Sequence, residues 1–163
     1  MAVQDKYTDS NVAAKNKTHS LLTGVGNKVH AMIGQAAIAA ADDDGSVYRV
    51  FKDIPASYVL KSMHITNTAI TSGTDYDIGL YSRDLGAVVD KDIFLDGASM
   101  ASARTAKTEI STLFAVVEAD VVKALSELDP ATAKPLSYDL CLTANTVGSA
   151  AGTVTIYAEF IQK

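Results

Sequence analysis

The stretch Tyr76-Asp77-Ile78-Gly79-Leu80 is nearly repeated as Tyr138-Asp139-Leu140-Cys141-Leu142, and apolar and polar residues alternate again over residues 153–161. Side chains of a strand point alternately to the two faces of a sheet, so the apolar members of all three segments can enter one core. The predicted core positions are Tyr76, Ile78, Leu80, Tyr138, Leu140, Leu142, Val154, Ile156 and Phe160. These segments therefore predict packed β-sheets.

Further strands and turns are indicated between these segments. Residues 28–41 fit a strand, although their alanine-rich part also has a high helix propensity. Asp42-Asp43-Asp44-Gly45 predicts a tight turn, because Asp and Gly favour turns and tolerate positive φ. Strands are expected over residues 46–52 and 58–69, and residues 84–102 are expected to form a loop with short pieces of structure.

One helix is expected, near residues 119–128. Its apolar side chains recur at helical spacing and Pro130 would end it. The residues on this face are Val121, Val122, Leu125 and Leu128. Short strands separated by turns, without alternating helices, predict an all-β sandwich or barrel rather than a parallel sheet.

The chain is expected to form one domain preceded by an arm. A length of 163 residues is enough to bury roughly 70% of the unfolded surface. Residues 1–27 are polar, end in a glycine-rich stretch and have few large apolar side chains, which predicts an extended arm before a domain over residues 28–163.

Charge and composition argue against several partners. The net charge is −5, with 14 basic and 19 acidic residues, and the basic residues are scattered, so no nucleic-acid partner is expected. The longest apolar run, over residues 36–41, is too short to cross a bilayer, and the first twenty residues have no apolar signal-peptide region. The sequence therefore predicts no membrane partner and no export by an ordinary signal peptide.

Candidate sites give weak signals. Cys141 is the single cysteine, which excludes an intrachain disulfide and fits a small side chain within a strand. The histidines His19, His30 and His64 have no metal-ligand spacing. Asp42-Asp43-Asp44-Gly45 lacks the spacing of a calcium loop and is interpreted as a solvated turn.

A second acidic group, Asp84, Asp90, Asp92 and Asp96, is interpreted as turning and capping the backbone. Gly24-Val25-Gly26-Asn27-Lys28 lacks the rest of a phosphate loop, and no Gly-x-Ser-x-Gly element is present. We therefore predict no catalytic, cofactor-binding or metal-binding residues, no cofactor, and no enzymatic activity.

Residues 48–56, 76–81, 90–97 and 151–156 form four segments of strands and turns. Together these segments resemble the capsid decoration, or cement, proteins of tailed bacteriophages. In that family a strand near an Ile-Pro-Ala step precedes an Asp-[Ile/Val]-Gly-Leu-Tyr strand, an Asp-x-Phe-x-Asp-Gly loop and a closing strand after Ala-Gly-Thr. The resemblance covers roughly residues 28–163.

The resemblance implies a jelly-roll-like β-sandwich that binds the outer surface of a phage capsid. The partners that it implies are the major capsid protein and further copies of the chain, which would form a homodimer or homotrimer. It also implies a location on the exterior of the virion after synthesis in the host bacterial cytoplasm. A phage tail or adaptor component and a carbohydrate-binding adhesin of the virion surface are the alternatives, and a small sandwich hydrolase is a further one.

Overall fold

The computed structural model describes residues 5–7, 29–83, 86–110 and 123–162. These residues form nine strands and one helical turn. In chain order they are β1 (Asp5–Tyr7), β2 (Val29–Ile38), β3 (Ser46–Pro55), β4 (Tyr58–Asn67), β5 (Asp75–Ser82), β6 (Val88–Ala98), β7 (Arg104–Glu109), α1 (Leu125–Leu128), β8 (Ser137–Thr146) and β9 (Gly152–Gln162).

The strands form two sheets with the order β1-β3-β8-β5-β6 and β2-β9-β4-β7. Apart from β1, the antiparallel pairs are nested along the chain, because β2 pairs with β9, β3 with β8, β4 with β7 and β5 with β6. Eight strands wound in this way into two sheets form a jelly roll. The prediction of an all-β, jelly-roll-like sandwich is confirmed.

The core lies between the two sheets and contains every position predicted for it. All nine predicted core side chains, from Tyr76 to Phe160, are 0% exposed. The alanine-rich segment is a strand rather than a helix, and its Ala36 and Ile38 are also buried. Period-two alternation therefore located the inner walls of the sandwich correctly.

The outer sides of β5 and β8 are also covered, which simple alternation does not predict. Asp77, Asp139 and Cys141 lie between the core positions, yet each is at most 3% exposed. A Cβ on Gly79 would lie 2.1 Å from the backbone oxygen of Asp90, so β6 runs directly over this part of β5. Glycine is required there because no side chain fits beneath the crossing backbone.

The prediction of a loop over residues 84–102 is wrong for most of that segment. Residues Val88–Ala98 form β6, which pairs with β5. Ile78 lies opposite Leu95 whereas Leu80 lies opposite Asp90, so several residues of β6 bulge out of the ladder. Bulges interrupt the alternation of apolar residues, and this irregularity gave the strand the sequence pattern of a loop.

Strand β7 was not predicted. It has the sequence Arg-Thr-Ala-Lys-Thr-Glu, lies at an edge of the four-stranded sheet and is largely exposed. An edge strand that faces solvent carries no apolar stripe, so its sequence gives no strand signal.

The helix predicted near residues 119–128 is a single turn in its described part. Val59 forms a bridge with Ala124, so α1 begins only at Leu125. The backbone N–H of Ala124 donates to Oε2 of Glu127 at 2.6 Å, and Leu125 is buried. Residues 119–122, with Val121 and Val122, lie outside the described residues.

Most of the predicted arm, residues 1–27, also lies outside the described residues. Its part Asp5–Tyr7 forms β1, which pairs in parallel with Val47–Arg49 of β3. The division into an arm and a domain over residues 28–163 stays a prediction. Among the described residues, no helix has the length and apolar character needed to span a membrane.

Candidate interaction surfaces

The outer face of the four-stranded sheet carries a row of side chains across all of its strands. Ile33 of β2 lies opposite Tyr157 of β9, Tyr157 opposite His64 of β4, and His64 opposite Glu109 of β7. Ile33 is 52% exposed, and the ammonium group of Lys107 lies 4.1 Å from the centre of the Tyr157 ring. This row is therefore a mixed apolar and polar surface.

A hydroxyl- and amide-lined groove of about 610 Å³ continues this face toward one end of the sheet. Nη1 of Arg104 donates to Oδ1 of Asn67 at 2.7 Å, and Nε2 of Gln35 donates to Oγ1 of Thr155 at 3.1 Å. The remaining lining residues are Thr66, Thr68, Ala69, Ala103, Thr105 and Thr153. Neutral hydroxyl and amide groups can hydrogen-bond to a polypeptide, but they are not acid–base catalysts near pH 7.

An exposed ion pair lies beyond the row at the other end of this face. Nζ of Lys61 is 3.1 Å from Oε2 of Glu159, which also accepts a hydrogen bond from the Ser62 hydroxyl at 3.2 Å. The hydrogen bond from Lys61 lowers the pKa of Glu159. Both side chains of the ion pair are more than one-third exposed, so solvent screens the attraction and its contribution to stability is small.

The turn at Asp42–Gly45 is present, but its acidic side chains are not simply solvated. Oδ2 of Asp42 accepts hydrogen bonds from the Tyr48 hydroxyl at 2.6 Å and from the Ala39 backbone N–H at 3.0 Å. Oδ1 of Asp44 accepts a hydrogen bond from the Val147 backbone N–H at 2.9 Å, and Gly45 has φ of 85°. These hydrogen bonds hold the turn against the core. The interpretation as a solvated turn is therefore wrong for Asp42, which is buried, and right for Asp44, which is exposed.

Three carboxylates converge on the outer side of the five-stranded sheet: Asp77, Asp92 and Asp96 have oxygens within 4.8 Å of one another. The buried Asp77 accepts hydrogen bonds from Nδ2 of Asn145 at 2.6 Å and from the Gly97 backbone N–H at 2.9 Å. These bonds join β5, β6 and β8. Asp77 was not among the predicted acidic candidates.

The ammonium group of Lys91 partly neutralises this cluster, since its Nζ lies 3.3 Å from Oδ2 of Asp77. Of the acidic group predicted to turn the backbone, Asp92 and Asp96 are in the cluster. Asp90 does turn the backbone, because its Oδ1 accepts from the Asp92 N–H at 3.3 Å. Asp84 lies outside the described residues.

Replacing Asp90 by Asn is expected to stabilise the protein at pH 7. Burial and the neighbouring Asp92 raise the pKa of Asp90, so the folded state binds its proton more tightly than the unfolded state. The contribution of this carboxyl to stability is greatest below its unfolded pKa and is lost as the pH rises through its folded pKa. Urea titrations of both proteins should therefore give a higher free energy of unfolding for Asp90→Asn at pH 7.

The difference should disappear at about pH 3, where Asp90 is protonated in both states. This low-pH comparison is the internal control, because Asn and a protonated Asp have nearly the same shape. A stabilisation of equal size at both pH values would contradict a titrating origin.

Burial and hydrogen bonding account for the shifted tyrosine pKa values in the described structure. Burial raises the pKa of Tyr76 to about 12, and its hydroxyl donates to the Val147 carbonyl at 2.6 Å. Burial also raises the pKa values of Tyr48 and Tyr138, which donate to carboxylates of Asp42 and Asp129. These hydroxyls are anchored in the core and are poorly placed to act as bases.

The remaining candidates have structural partners. His64 is a strand side chain, as predicted, with its Nε2 4.0 Å from Oε2 of Glu109. Nε2 of His30 is 3.1 Å from the Tyr58 hydroxyl, and Cys141 is buried in β8. His19 and the segment at residues 24–28 lie outside the described residues. The absence of catalytic, cofactor and metal sites stays a prediction.

Comparisons with known proteins support the fold. No family model matches the sequence, and no curated protein matches it. A chain of the Ralstonia phage GP4 capsid has a TM-score of 0.62 and 11% identity, and the match covers 98% of this chain and 99% of that one. A chain of the cyanophage Pam1 capsid asymmetric unit has a TM-score of 0.48 and 12% identity over 100% of both chains. The protein therefore shares its sandwich fold with a chain of the GP4 capsid.

Proposed function

We propose that this protein is a non-enzymatic structural protein of a phage virion. It binds the outer surface of the capsid and stabilises the shell by bridging major capsid subunits. The observation that carries the proposal is a fold shared over 98% of this chain with a chain of the GP4 capsid. The sequence resemblance to capsid decoration proteins is a second line of support.

The outer face of the four-stranded sheet is the surface proposed to contact the shell. The row from Ile33 to Glu109 and the groove beside Arg104 offer apolar contact and hydrogen bonds on one side of a rigid sandwich. A broad surface that combines apolar, hydrogen-bonding and charged side chains suits a protein partner better than a small ligand.

Binding of this kind stabilises a capsid without any chemical step. A protein that binds the closed shell, and not its separated subunits, lowers the free energy of the closed state by mass action. Each bridging molecule contacts two subunits. Once the first contact has formed, the second binding surface is held near its target, so its effective concentration there is high. Weak individual contacts can therefore give stable attachment. Residues 1–27 are proposed to supply such a second contact.

Binding to shells tests the proposal. Empty capsids assembled from the major capsid protein of the same phage are incubated with the purified chain and sedimented. The chain is expected to sediment with assembled shells, to saturate at a fixed ratio, and to raise the temperature at which the shells break apart. It should not bind unassembled subunits to the same extent.

A chain lacking residues 1–27 serves as the comparison in this experiment. It is expected to unfold cooperatively but to bind shells more weakly than the full chain. Equal binding by the shortened chain would remove the arm from the proposal. No binding of the full chain to shells would overturn the proposal itself.

The alternatives have different expected results. Ring-shaped assembly and binding to isolated tails would favour a tail or adaptor component. Specific signals on a glycan array would favour an adhesin, but such sites present exposed aromatic platforms. Among the described tyrosine side chains, Tyr48, Tyr76, Tyr81 and Tyr138 are buried, and Tyr58 and Tyr157 are half-buried.

A further inference from the structure

Strand β2 is an edge strand of the four-stranded sheet in the part of the chain that the structure describes. It pairs with β9 over ten consecutive residue pairs without a register shift, from Val29 opposite Ile161 to Ile38 opposite Gly152. No other strand in the described ranges pairs with β2, which is terminal in its sheet. Along such an edge, every second residue directs its backbone N–H and C=O away from the sheet.

The other sheet edges carry the features that prevent strand pairing. The edge strand β7 has Arg104, Lys107 and Glu109, and the edge strand β1 has only three residues, of which Asp5 and Lys6 are charged. The edge strand β6 is charged over much of its length and shifts register against β5 three times. Charges and bulges at an edge are the usual protection against further pairing.

Strand β2 has neither form of protection. No Asp, Glu, Lys, Arg or Pro occurs from Val29 to Ala41, and the pairing of β2 with β9 has no bulge. On its outer face, Ile33, Gln35 and Ala37 are exposed, and Ile33 is one of the large apolar side chains exposed in the described structure. A regular, uncharged edge of ten residues is a template for another strand.

We propose that two copies of this chain pair antiparallel through their β2 strands. Each copy has a net charge of −5, so association is favoured where the contact surface carries no charge, and β2 meets that condition. An antiparallel pair of identical strands is self-complementary and follows a two-fold axis. The two four-stranded sheets would join into one sheet, β7-β4-β9-β2 continued by β2-β9-β4-β7 of the second copy.

This arrangement selects a dimer. Among the described strands each copy offers one unprotected edge, and pairing uses that edge in both copies, so growth stops at two chains. Ile33 lies near the middle of β2, and pairing places it close to the β2 strand of the second copy, where its apolar side chain leaves water. The importance of the dimer for bridging the capsid rests on the proposed function, but the pairing itself is tested without a capsid.

The test is the mass of the full chain in solution, measured by size exclusion with light scattering over a micromolar concentration range. The wild-type chain is expected at twice 17.1 kDa. Ile33→Lys removes an exposed apolar side chain and introduces two like charges at the new strand pair, one from each copy. It should raise the dimer dissociation constant about 100-fold.

Val88→Lys is the matched control. Val88 is 56% exposed at the start of β6, so this substitution makes the same change of charge on an already protected edge. The variant is expected to remain a dimer. Equal weakening by both substitutions would indicate a general charge effect and would overturn the assignment to β2.

Hydrogen exchange distinguishes loss of pairing from loss of folding. Outward-facing amides of β2 should be protected in the wild-type dimer and exchange fast in Ile33→Lys, whereas β9 amides stay protected in both. If the β9 amides lose protection in Ile33→Lys, that variant has lost its fold. Gln35→Lys, on the same exposed face, is then tested in its place. A monomeric or trimeric wild-type chain, or a dimer unaffected by substitutions on β2, would overturn the proposal whatever its affinity for shells.

Discussion

Replacing Leu140 by Ala is expected to lower the free energy of unfolding by about 2–5 kcal/mol. Leu140 lies on β8, between β3 and β5 at the centre of the five-stranded sheet, and its side chain is 0% exposed. Truncation removes buried methyl groups and leaves a cavity that a rigid sheet cannot close. Urea unfolding monitored by circular dichroism should show a lower midpoint with an unchanged slope.

Leu136→Ala provides the control, because the same chemical change is made four positions earlier on a side chain that is 90% exposed. It should alter stability by no more than about 0.5 kcal/mol. Ile78, Leu80 and Ile156 are as buried as Leu140. Truncating any one of them to Ala should lower the free energy of unfolding by a similar amount. A loss below about 1 kcal/mol at Leu140 would mean that its side chain is outside the core.

The core could be predicted from sequence because both central strands keep strict alternation. Ile78 and Leu80 on β5 face the same interior as Leu140 and Leu142 on β8, and β5 pairs with β8 from Ile78 to Ser82 without a register shift. Where a strand is regular, period two identifies the buried face directly.

The remainder depended on contacts that local patterns do not contain. β6 was missed because its bulges break alternation, and Phe94 and Leu95 are adjacent yet both buried. β7 was missed because its charged residues protect an edge rather than form a core. The candidate surface on the outer face can be identified only from the register of the four strands, since Ile33, Tyr157 and His64 are far apart in the sequence.

The sequence pattern and the structure also differ at the residues of the central strands that alternate with the core positions. Alternation places Asp139 on the side away from the core, but β3 and its Arg49 enclose it. Nη1 of Arg49 donates to Oδ2 of Asp139 at 2.9 Å, and both side chains are only 4% exposed. Oδ1 accepts from the backbone N–H of Asp53, which has a left-handed φ of 59°. One carboxylate therefore holds an arginine and an unusual turn of β3.

Replacing Asp139 by Ala should destabilise the protein by about 3–5 kcal/mol, as expected when a buried ion pair loses one member. Arg49 loses its carboxylate in a site where water can replace it only poorly, and the Asp53 N–H loses its acceptor. Urea unfolding at pH 7 measures the loss. Asp139→Asn, which retains an oxygen that can accept from Asp53, should be less damaging than Asp139→Ala.

Two comparisons separate the charge effect from general damage to β8. Glu159→Ala breaks the exposed pair with Lys61 and should change stability by about 0–1 kcal/mol, because solvent already screens that attraction. The double replacement Arg49→Met with Asp139→Leu should recover much of the stability lost in Asp139→Ala, since it removes both charges and fills the space with apolar atoms. If the double variant is no more stable than Asp139→Ala, the loss arises from the Asp53 turn rather than from a buried arginine without its carboxylate.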